Sequence, residues 1–161
     1  MGDMSQINFT IITCSDNASA GRYEKQTGVW IAEQVTANGG NILNNVLIAD
    51  DAKRIKDEIR HGLIGDVIIT LGGTGANPKD VTPEATMPLL DTMLPGIAEA
   101  VRAEGLKHTP RAVMSRAVAG FSGKTLIINL PGSDGSVQDG WNVIAPVIPD
   151  LVRQRQGTEG H

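Results

Sequence analysis

A glycine-rich segment at residues 66–86 carries the groups best suited to chemistry. Its centre holds three glycines and a threonine, in the order Gly72, Gly73, Thr74 and Gly75. Glycine has no Cβ atom and accepts positive φ, so main-chain N–H groups in such a loop can approach a ligand closely. Asp80 adds a carboxylate and Thr82 a hydroxyl shortly afterwards. We predict a pocket for a phosphorylated ligand here.

The alternative interpretation is that the segment is no more than a tight turn between a strand and a helix. A lone pair of glycines would favour that interpretation, but Asp80 and Thr82 supply polar groups that a turn does not need. The loop is not a Rossmann fingerprint, because Pro78 stands where the third glycine is required. It does not fit a Walker A loop either.

The elements on both sides of this loop place it at the end of a strand. Residues 67–71 are apolar and mostly β-branched, which is typical of a strand buried on both faces. Thr82 is predicted to be the N-cap of a helix over residues 83–92, with Pro83 at its first position and Glu84 near the positive end of the helix dipole.

Three further runs rich in apolar residues, at residues 8–13, 42–48 and 126–130, also predict strands, and the first of them alternates before it becomes apolar. Small or polar residues follow each run: Ser15, Asp16, Asp50, Pro131, Gly132 and Ser133. Open α/β sheets bind ligands at the carboxyl ends of their strands. Ser15 and Asp16 could equally cap the next helix, and one of Asp50 and Asp51 is expected to do so.

Helical patterns occupy most of the chain between the strands. They cover residues 26–38, 52–62, 97–106 and 139–155, and Pro146 and Pro149 are expected to kink or restart the last of these. Residues 109–112 predict a short helix or loop, and Ser115 and Arg116 precede a predicted strand at 117–121. Arg116 offers a planar fork suited to phosphate or carboxylate. The alternation predicts a single-domain, doubly wound, Rossmann-like α/β fold, with a mostly parallel sheet and helices on both faces.

Size and composition set further bounds. A chain of 161 residues with 40% hydrophobic content suits one domain over 1–161, and we expect 1–6 and 156–161 to be flexible. The net charge of -4 disfavours nucleic-acid binding. No apolar run is long enough to span a membrane. A single cysteine, Cys14, cannot form a disulfide within the chain, and this favours a cytoplasmic protein. We expect Cys14 to be a small buried residue. Three scattered histidines make a zinc site unexpected.

Two carboxylates are predicted to meet at this edge of the sheet. One is Asp80, and the other is whichever of Asp50 and Asp51 does not cap a helix. Like charges repel in a poorly hydrated cleft, so two carboxylates beside a phosphate need a divalent cation between them. Magnesium is the natural candidate.

Four motifs together resemble the MoaB/Mog family of molybdopterin-binding proteins over residues 8–151. They are Ile68-Ile69-Thr70-Leu71-Gly72-Gly73-Thr74-Gly75, Asp80-Val81-Thr82-Pro83-Glu84-Ala85-Thr86, Ser115-Arg116-Ala117 and Leu130-Pro131-Gly132-Ser133. The second motif is closest to the Mog-type adenylyltransferases. Two departures concern the rim of the pocket: Asp134-Gly135 follows Ser133, and Lys79 stands where an arginine is frequent.

The resemblance implies magnesium-dependent transfer of AMP from ATP to the terminal phosphate of molybdopterin, with release of pyrophosphate. It matches the two family carboxylates to Asp50 and Asp80, and it places Ser115 and the 131–133 turn in the same pocket. A homotrimer and hand-over of the product to a molybdate-inserting protein are also implied. The alternatives are a non-catalytic molybdopterin carrier or interaction module, and unrelated nucleotide chemistry on a similar fold.

Overall fold

The computed structural model describes residues 3–21 and 26–157. The strands are β1 (Asn8–Cys14), β2 (Asn41–Ile48), β3 (Val67–Leu71), β4 (Thr92–Met93), β5 (Ala119–Ser122) and β6 (Thr125–Leu130). The α-helices are α1 (Asp16–Ser19), α2 (Thr27–Ala37), α3 (Ala52–Gly62), α4 (Thr82–Thr86), α5 (Pro95–Leu106), α6 (Asp134–Ile144) and α7 (Ile148–Arg155). Short 3-10 turns cover Met87–Leu89 and Pro110–Met114.

The six strands form one sheet in the order β2-β1-β3-β6-β5-β4. The neighbouring pairs β1–β2, β1–β3 and β3–β6 are parallel, whereas β5 runs antiparallel to both β6 and β4. This is the predicted doubly wound α/β fold with a mostly parallel sheet. The reversal at β5 brings the segment before that strand to the carboxyl edge of the parallel strands.

Apolar cores lie on both faces of the sheet. Side chains from α2, α5, α6 and α7 pack on one face, with Trp141 of α6 fully buried there. The other face packs against α3 and α4 through Ile55, Ile59 and Ala85. None of the helices in the described part of the chain combines the length and apolarity that a bilayer span requires.

Three expectations about the elements need correction. The helix predicted over 83–92 ends at Thr86 and gives way to a 3-10 turn and β4, because Pro88 lacks the N–H that would continue the helical ladder. The last helical region begins at Asp134, not at residue 139, because Ser133 caps it by accepting a hydrogen bond from Ser136 N. Met4, in the leader expected to be flexible, is fully buried.

Other expectations about the elements agree with the structure. The chain breaks between α6 and α7 near Pro146 and Pro149, as predicted. Cys14 is buried at the end of β1, and burial raises the pKa of its thiol to about 12. The expected flexible tail falls largely on residues 158–161, which lie outside the described part of the chain.

Candidate active site

The carboxyl edge of the sheet brings together the loops that follow the parallel strands. Asp16 follows β1, Asp50 follows β2, the glycine loop of residues 72–75 follows β3, and Ser133 follows β6. Ser115 and Arg116 reach the same edge from the other direction because β5 is antiparallel to β6. A built Cβ on Gly72 would lie 3.9 Å from Gly132 Cα, so the glycine loop and the 131–133 turn are in contact.

The glycine loop needs its glycines for two separate reasons. Gly72 and Gly73 have positive φ values of 93° and 68°, which side chains disfavour. A Cβ on Gly72 would lie 2.6 Å from the Cys14 carbonyl oxygen, a backbone atom that cannot move aside cheaply. A Cβ on Gly73 would overlap the Thr82 hydroxyl. The main chain of the loop therefore lies closer to the Cys14 carbonyl and the Thr82 hydroxyl than residues with a Cβ atom would permit.

Thr82 holds the glycine loop in place. Its side chain is fully buried, its hydroxyl donates to the Gly72 carbonyl at 2.9 Å, and its main-chain N–H donates to the Gly73 carbonyl at 3.1 Å. Val81, not Thr82, is the N-cap residue of α4. The prediction that Thr82 caps the helix is therefore wrong. Its hydroxyl holds the glycine loop, and its expected contact with a ligand stays a prediction.

The adjacent aspartates Asp50 and Asp51 take different positions, one at the glycine loop and one at the start of α3. Asp51 caps α3 by accepting a hydrogen bond from Arg54 N at 3.0 Å. Asp50 faces the glycine loop, with its Oδ1 lying 3.1 Å from where a Cβ on Gly73 would stand. The N-cap prediction is confirmed for one residue of the pair, and the other carboxylate lies at the loop.

Asp80 follows the glycine loop in the sequence, and its carboxylate lies next to Gly75. A Cβ on Gly75 would lie 2.8 Å from Asp80 Oδ2. Asn77 N donates to that oxygen at 3.1 Å, and Asp80 N donates to the Asn77 carbonyl at 2.8 Å, so a short turn fixes the carboxylate. Two acidic side chains thirty positions apart in the sequence thus converge on glycines two residues apart.

The guanidinium of Arg116 is occupied by contacts within the protein, although its side chain is 40% exposed. The expected contact of Arg116 with a ligand stays a prediction. Its guanidinium binds both carboxylate oxygens of Glu84, at 2.6 and 3.2 Å. It also donates to the main-chain carbonyls of Gly75 and Asp80, each at 2.8 Å, and its own N–H donates to the Thr74 carbonyl at 2.7 Å. Arg116 therefore fastens the glycine loop to the Asp80 turn and to α4.

Ser15 and Lys79 also take local roles. The Ser15 hydroxyl caps α1 by accepting from Ala18 N at 3.2 Å, which is the alternative that the sequence left open. Lys79 lies 3.8 Å from Asp16 Oδ2 and is largely exposed. The lysine therefore places a single positive charge beside Asp16 without a planar fork.

A cavity of about 310 Å³ opens beside the glycine loop. Several predicted residues line it: Thr74, Gly75, Ser115, Pro131 and Ser133. Asp50 and Asp80 are not part of its lining, but Gly75, which lies next to the Asp80 carboxylate, is part of it. The site thus has two compartments, a cavity large enough for a fused-ring ligand and an acidic position next to it.

Sequence reasoning missed two arginines that line this cavity, Arg102 and Arg111. Arg102 donates to the carbonyls of Ser115 and Ala117, both at 3.2 Å, and so positions the segment before β5. Arg111 lies in the 3-10 turn at Pro110–Met114, where the sequence predicted a short helix or loop. Nothing in the local pattern around Arg102 distinguishes it from an ordinary helix-surface arginine, so no sequence signal marked it.

Comparison with known proteins places this architecture in one family. Residues 10–150 match the family described as "Probable molybdopterin binding domain". The chain belongs to this family. It is 37% identical to the "Molybdopterin adenylyltransferase" of Helicobacter pylori (strain J99) over an alignment of 158 positions. The alignment covers 92% of this chain and 88% of that protein.

Solved structures agree with this membership in the MoaB/Mog family. The Mog protein of Mycobacterium ulcerans has a TM-score of 0.88 and 40% identity, with 92% of this chain and 99% of that chain covered. The molybdopterin biosynthesis enzyme MoaB of Thermus thermophilus has a TM-score of 0.87 and 36% identity, with 97% and 100% covered. The resemblance drawn from the sequence motifs is confirmed.

Proposed function

We propose that this protein transfers an adenylyl group from ATP to the terminal phosphate of molybdopterin and releases pyrophosphate. The observation that carries the proposal is the convergence of Asp50 and Asp80 on the glycine loop, beside a cavity of about 310 Å³. Relatives named for this activity share up to 37% of aligned residues over most of the chain, which supports the same substrates here.

The donor set fits a magnesium ion. Asp50 and Asp80 offer carboxylate oxygens, the ligands that Mg²⁺ prefers, and no histidine or cysteine sulfur is needed. We propose that these two residues hold the ion. When bound, magnesium would neutralise charge on the phosphates of ATP.

The cavity is the proposed site of the pterin ring system. Ser115 and Ser133 supply hydroxyls to its wall, and Arg102 keeps Ser115 in position. The terminal phosphate of molybdopterin would then lie near Gly75, which lines the cavity and lies beside the Asp80 carboxylate. Main-chain N–H groups of the glycine loop are suited to hold phosphate oxygens there.

The reaction is an in-line displacement. A terminal phosphate oxygen of molybdopterin forms a bond to the α-phosphorus of ATP, and the bond between that phosphorus and the bridging oxygen of the leaving pyrophosphate breaks. The attacking phosphate is already ionised, so no protein group has to remove a proton. The chain contributes by holding two polyanions in line and by balancing their charge.

The decisive experiment measures pyrophosphate release from molybdopterin, ATP and Mg²⁺. We expect Asp80→Asn to lower the rate by at least about 100-fold, the usual cost of removing a charge-stabilising group at a reacting centre. Asp57→Asn, which changes an exposed carboxylate on α3, is the matched control. An unchanged rate in Asp80→Asn would remove the proposed role. Molybdopterin binding by wild type without pyrophosphate release would support the carrier instead.

The resemblance supports two further parts of the proposal, a homotrimer and delivery of the adenylylated product to a molybdate-inserting protein. Light scattering on the purified chain tests the first part through its molar mass. A mass near that of one 17.0 kDa chain would contradict it. Transfer of the product to a candidate insertase in a coupled assay tests the second.

A further inference from the structure

A second group of metal-ligating side chains lies at the rim of the cavity. Glu104 on α5 and His108 just beyond its end are four residues apart, so they share a face of the helix. Asp139 on α6 faces them. His108 Nε2 lies 3.9 Å from Glu104 Oε1 and 3.6 Å from Asp139 Oδ2, and one ligand atom from each residue lies within 4.8 Å of the others.

The spacing of these atoms suits a shared ion better than direct hydrogen bonds. Both separations exceed the usual hydrogen-bond limit, so the imidazole contacts neither carboxylate closely. Ligand atoms around a tetrahedral zinc ion, at bond lengths near 2.0–2.2 Å, lie about 3.3–3.6 Å apart. Small side-chain rotations would therefore bring all three ligands to bonding distance.

The local charge also favours a cation. Two carboxylates face the imidazole, and the cation paired with this group in the described structure is Lys107. Its ammonium lies 2.9 Å from Glu104 Oε2, the oxygen that does not face His108. Glu104 Oε1 is thus left directed toward the imidazole, where a metal can bind without displacing the lysine.

We propose that Glu104, His108 and Asp139 form a binding site for a divalent transition metal of the zinc class. One imidazole nitrogen and two carboxylate oxygens suit Zn²⁺ or Co²⁺, whereas Mg²⁺ prefers oxygen ligands alone. From the sequence we expected no zinc site because the histidines are scattered. The fold makes the site with two carboxylates around one histidine.

The position of the site links metal binding to ligand binding in the cavity. Asp139 lines the cavity, so the ion lies at the rim and ties the end of α5 to α6. A fourth coordination position would be filled by water or by an anionic group of a ligand in the cavity. The ion adds positive charge to a cavity wall that already contains Arg102 and Arg111.

The test is titration of the metal-stripped full-length protein with Co²⁺ in excess Mg²⁺, followed by calorimetry and by the visible absorption of bound Co²⁺. Excess Mg²⁺ occupies oxygen-only positions, so the result does not depend on the proposed adenylyl transfer. We expect one Co²⁺ per chain, with His108→Ala and Asp139→Asn each weakening binding more than about 10-fold. His61→Ala, which changes another exposed histidine paired with a glutamate, should bind as wild type does.

Two results would overturn the proposal. One is the absence of saturable Co²⁺ binding by wild type, and the other is equal affinity in wild type and His108→Ala. Circular dichroism spectra establish that each variant is folded. All three altered side chains are at least partly exposed, at 58% for His108, 28% for Asp139 and 76% for His61, so their replacement leaves the core intact.

Discussion

Asp16 and Asp50 exchange hydrogen bonds across the ends of β1 and β2. Asp16 N donates to Asp50 Oδ2 at 3.1 Å, and Asp50 N donates to Asp16 Oδ1 at 2.8 Å. Each aspartate therefore fixes the main chain of the other, and Asp50 Oδ1 is held toward Gly73. This reciprocal pair explains how an aspartate at the end of an edge strand keeps one orientation at the site.

Substitution of the adjacent residues Asp50 and Asp51 tests whether only Asp50 takes part in adenylyl transfer. Asp50→Asn removes the charge but keeps an oxygen that can accept from Asp16 N, so we expect at least about a 100-fold loss of adenylyl transfer with little loss of stability. Asp51→Asn keeps the helix cap, because asparagine caps as well as aspartate. It should retain wild-type pyrophosphate release. Equal loss of rate in both variants would contradict the division of roles.

Gly75→Ala tests the placement of the Asp80 carboxylate. Gly75 has no positive φ, so the backbone accepts alanine, but the new Cβ would meet Asp80 Oδ2 at 2.8 Å and displace it. We expect a rate loss of roughly 10-fold to 100-fold, since small misplacements of reacting groups are costly. Gly96→Ala on α5, where a Cβ meets nothing within 4 Å, is the control and should stabilise the protein by up to about 1 kcal/mol.

The bridge between Glu84 and Arg116 predicts a pH dependence of stability. The hydrogen bond from Arg116 lowers the pKa of Glu84 below its ordinary value of 4.5. A carboxylate whose folded-state pKa is depressed stabilises the protein above its unfolded pKa, and this stabilisation disappears as the pH falls through the folded value.

Urea unfolding of wild type and Glu84→Gln from pH 7 to pH 3 measures this effect. The stability difference should be constant above pH 4.5 and shrink below it. It should not exceed about 1 kcal/mol, because both side chains are about half exposed. Glu99→Gln controls for the loss of an exposed carboxylate. A difference that grows toward low pH would contradict the bridge.

Asn129 is predicted to stabilise the protein through a buried network of hydrogen bonds. It is buried in β6, its amide donates to the hydroxyls of Thr70 and Thr86 at 2.8 and 3.1 Å, and its carbonyl accepts from Val118 N. Asn129→Ala leaves buried polar groups unpaired, which costs about 2–3 kcal/mol. Asn44→Ala on the exposed edge strand should change the free energy of unfolding by less than about 0.5 kcal/mol. Urea denaturation compares the two.

The sequence predicted the centre of the parallel sheet because β3 and β6 are largely apolar runs between turn residues. Val67–Leu71 and Thr125–Leu130 are buried at every position, and this makes them easy to distinguish from amphipathic helices. The helix predicted after the glycine loop was too long because the helical pattern was followed past Pro88. The start of α6 at Asp134 could have been found from the capping serine before it.

The candidate site was predicted at the level of which loops meet, but not at the level of side-chain contacts. The sequence predicts Asp50 and Asp80 at one edge because strand ends define that edge, and both residues do lie beside the glycine loop. Their chemical roles stay predictions. The hydrogen bond from Arg116 to Gly75 spans 41 residues, and the approach of His108 to Asp139 brings the segment after α5 close to α6. Such contacts depend on the exact packing of loops and helices, which a residue pattern does not contain.

The complete burial of Trp141 gives the protein an internal optical reporter. An indole in an apolar core emits at shorter wavelength than one in water, so loss of the native packing around α6 shifts its fluorescence to the red. The same helix begins at the cavity and carries Asp139. Because Trp30 also emits, replacing it with phenylalanine leaves the emission of Trp141 to follow both unfolding and any displacement of this helix by a ligand, without an attached dye.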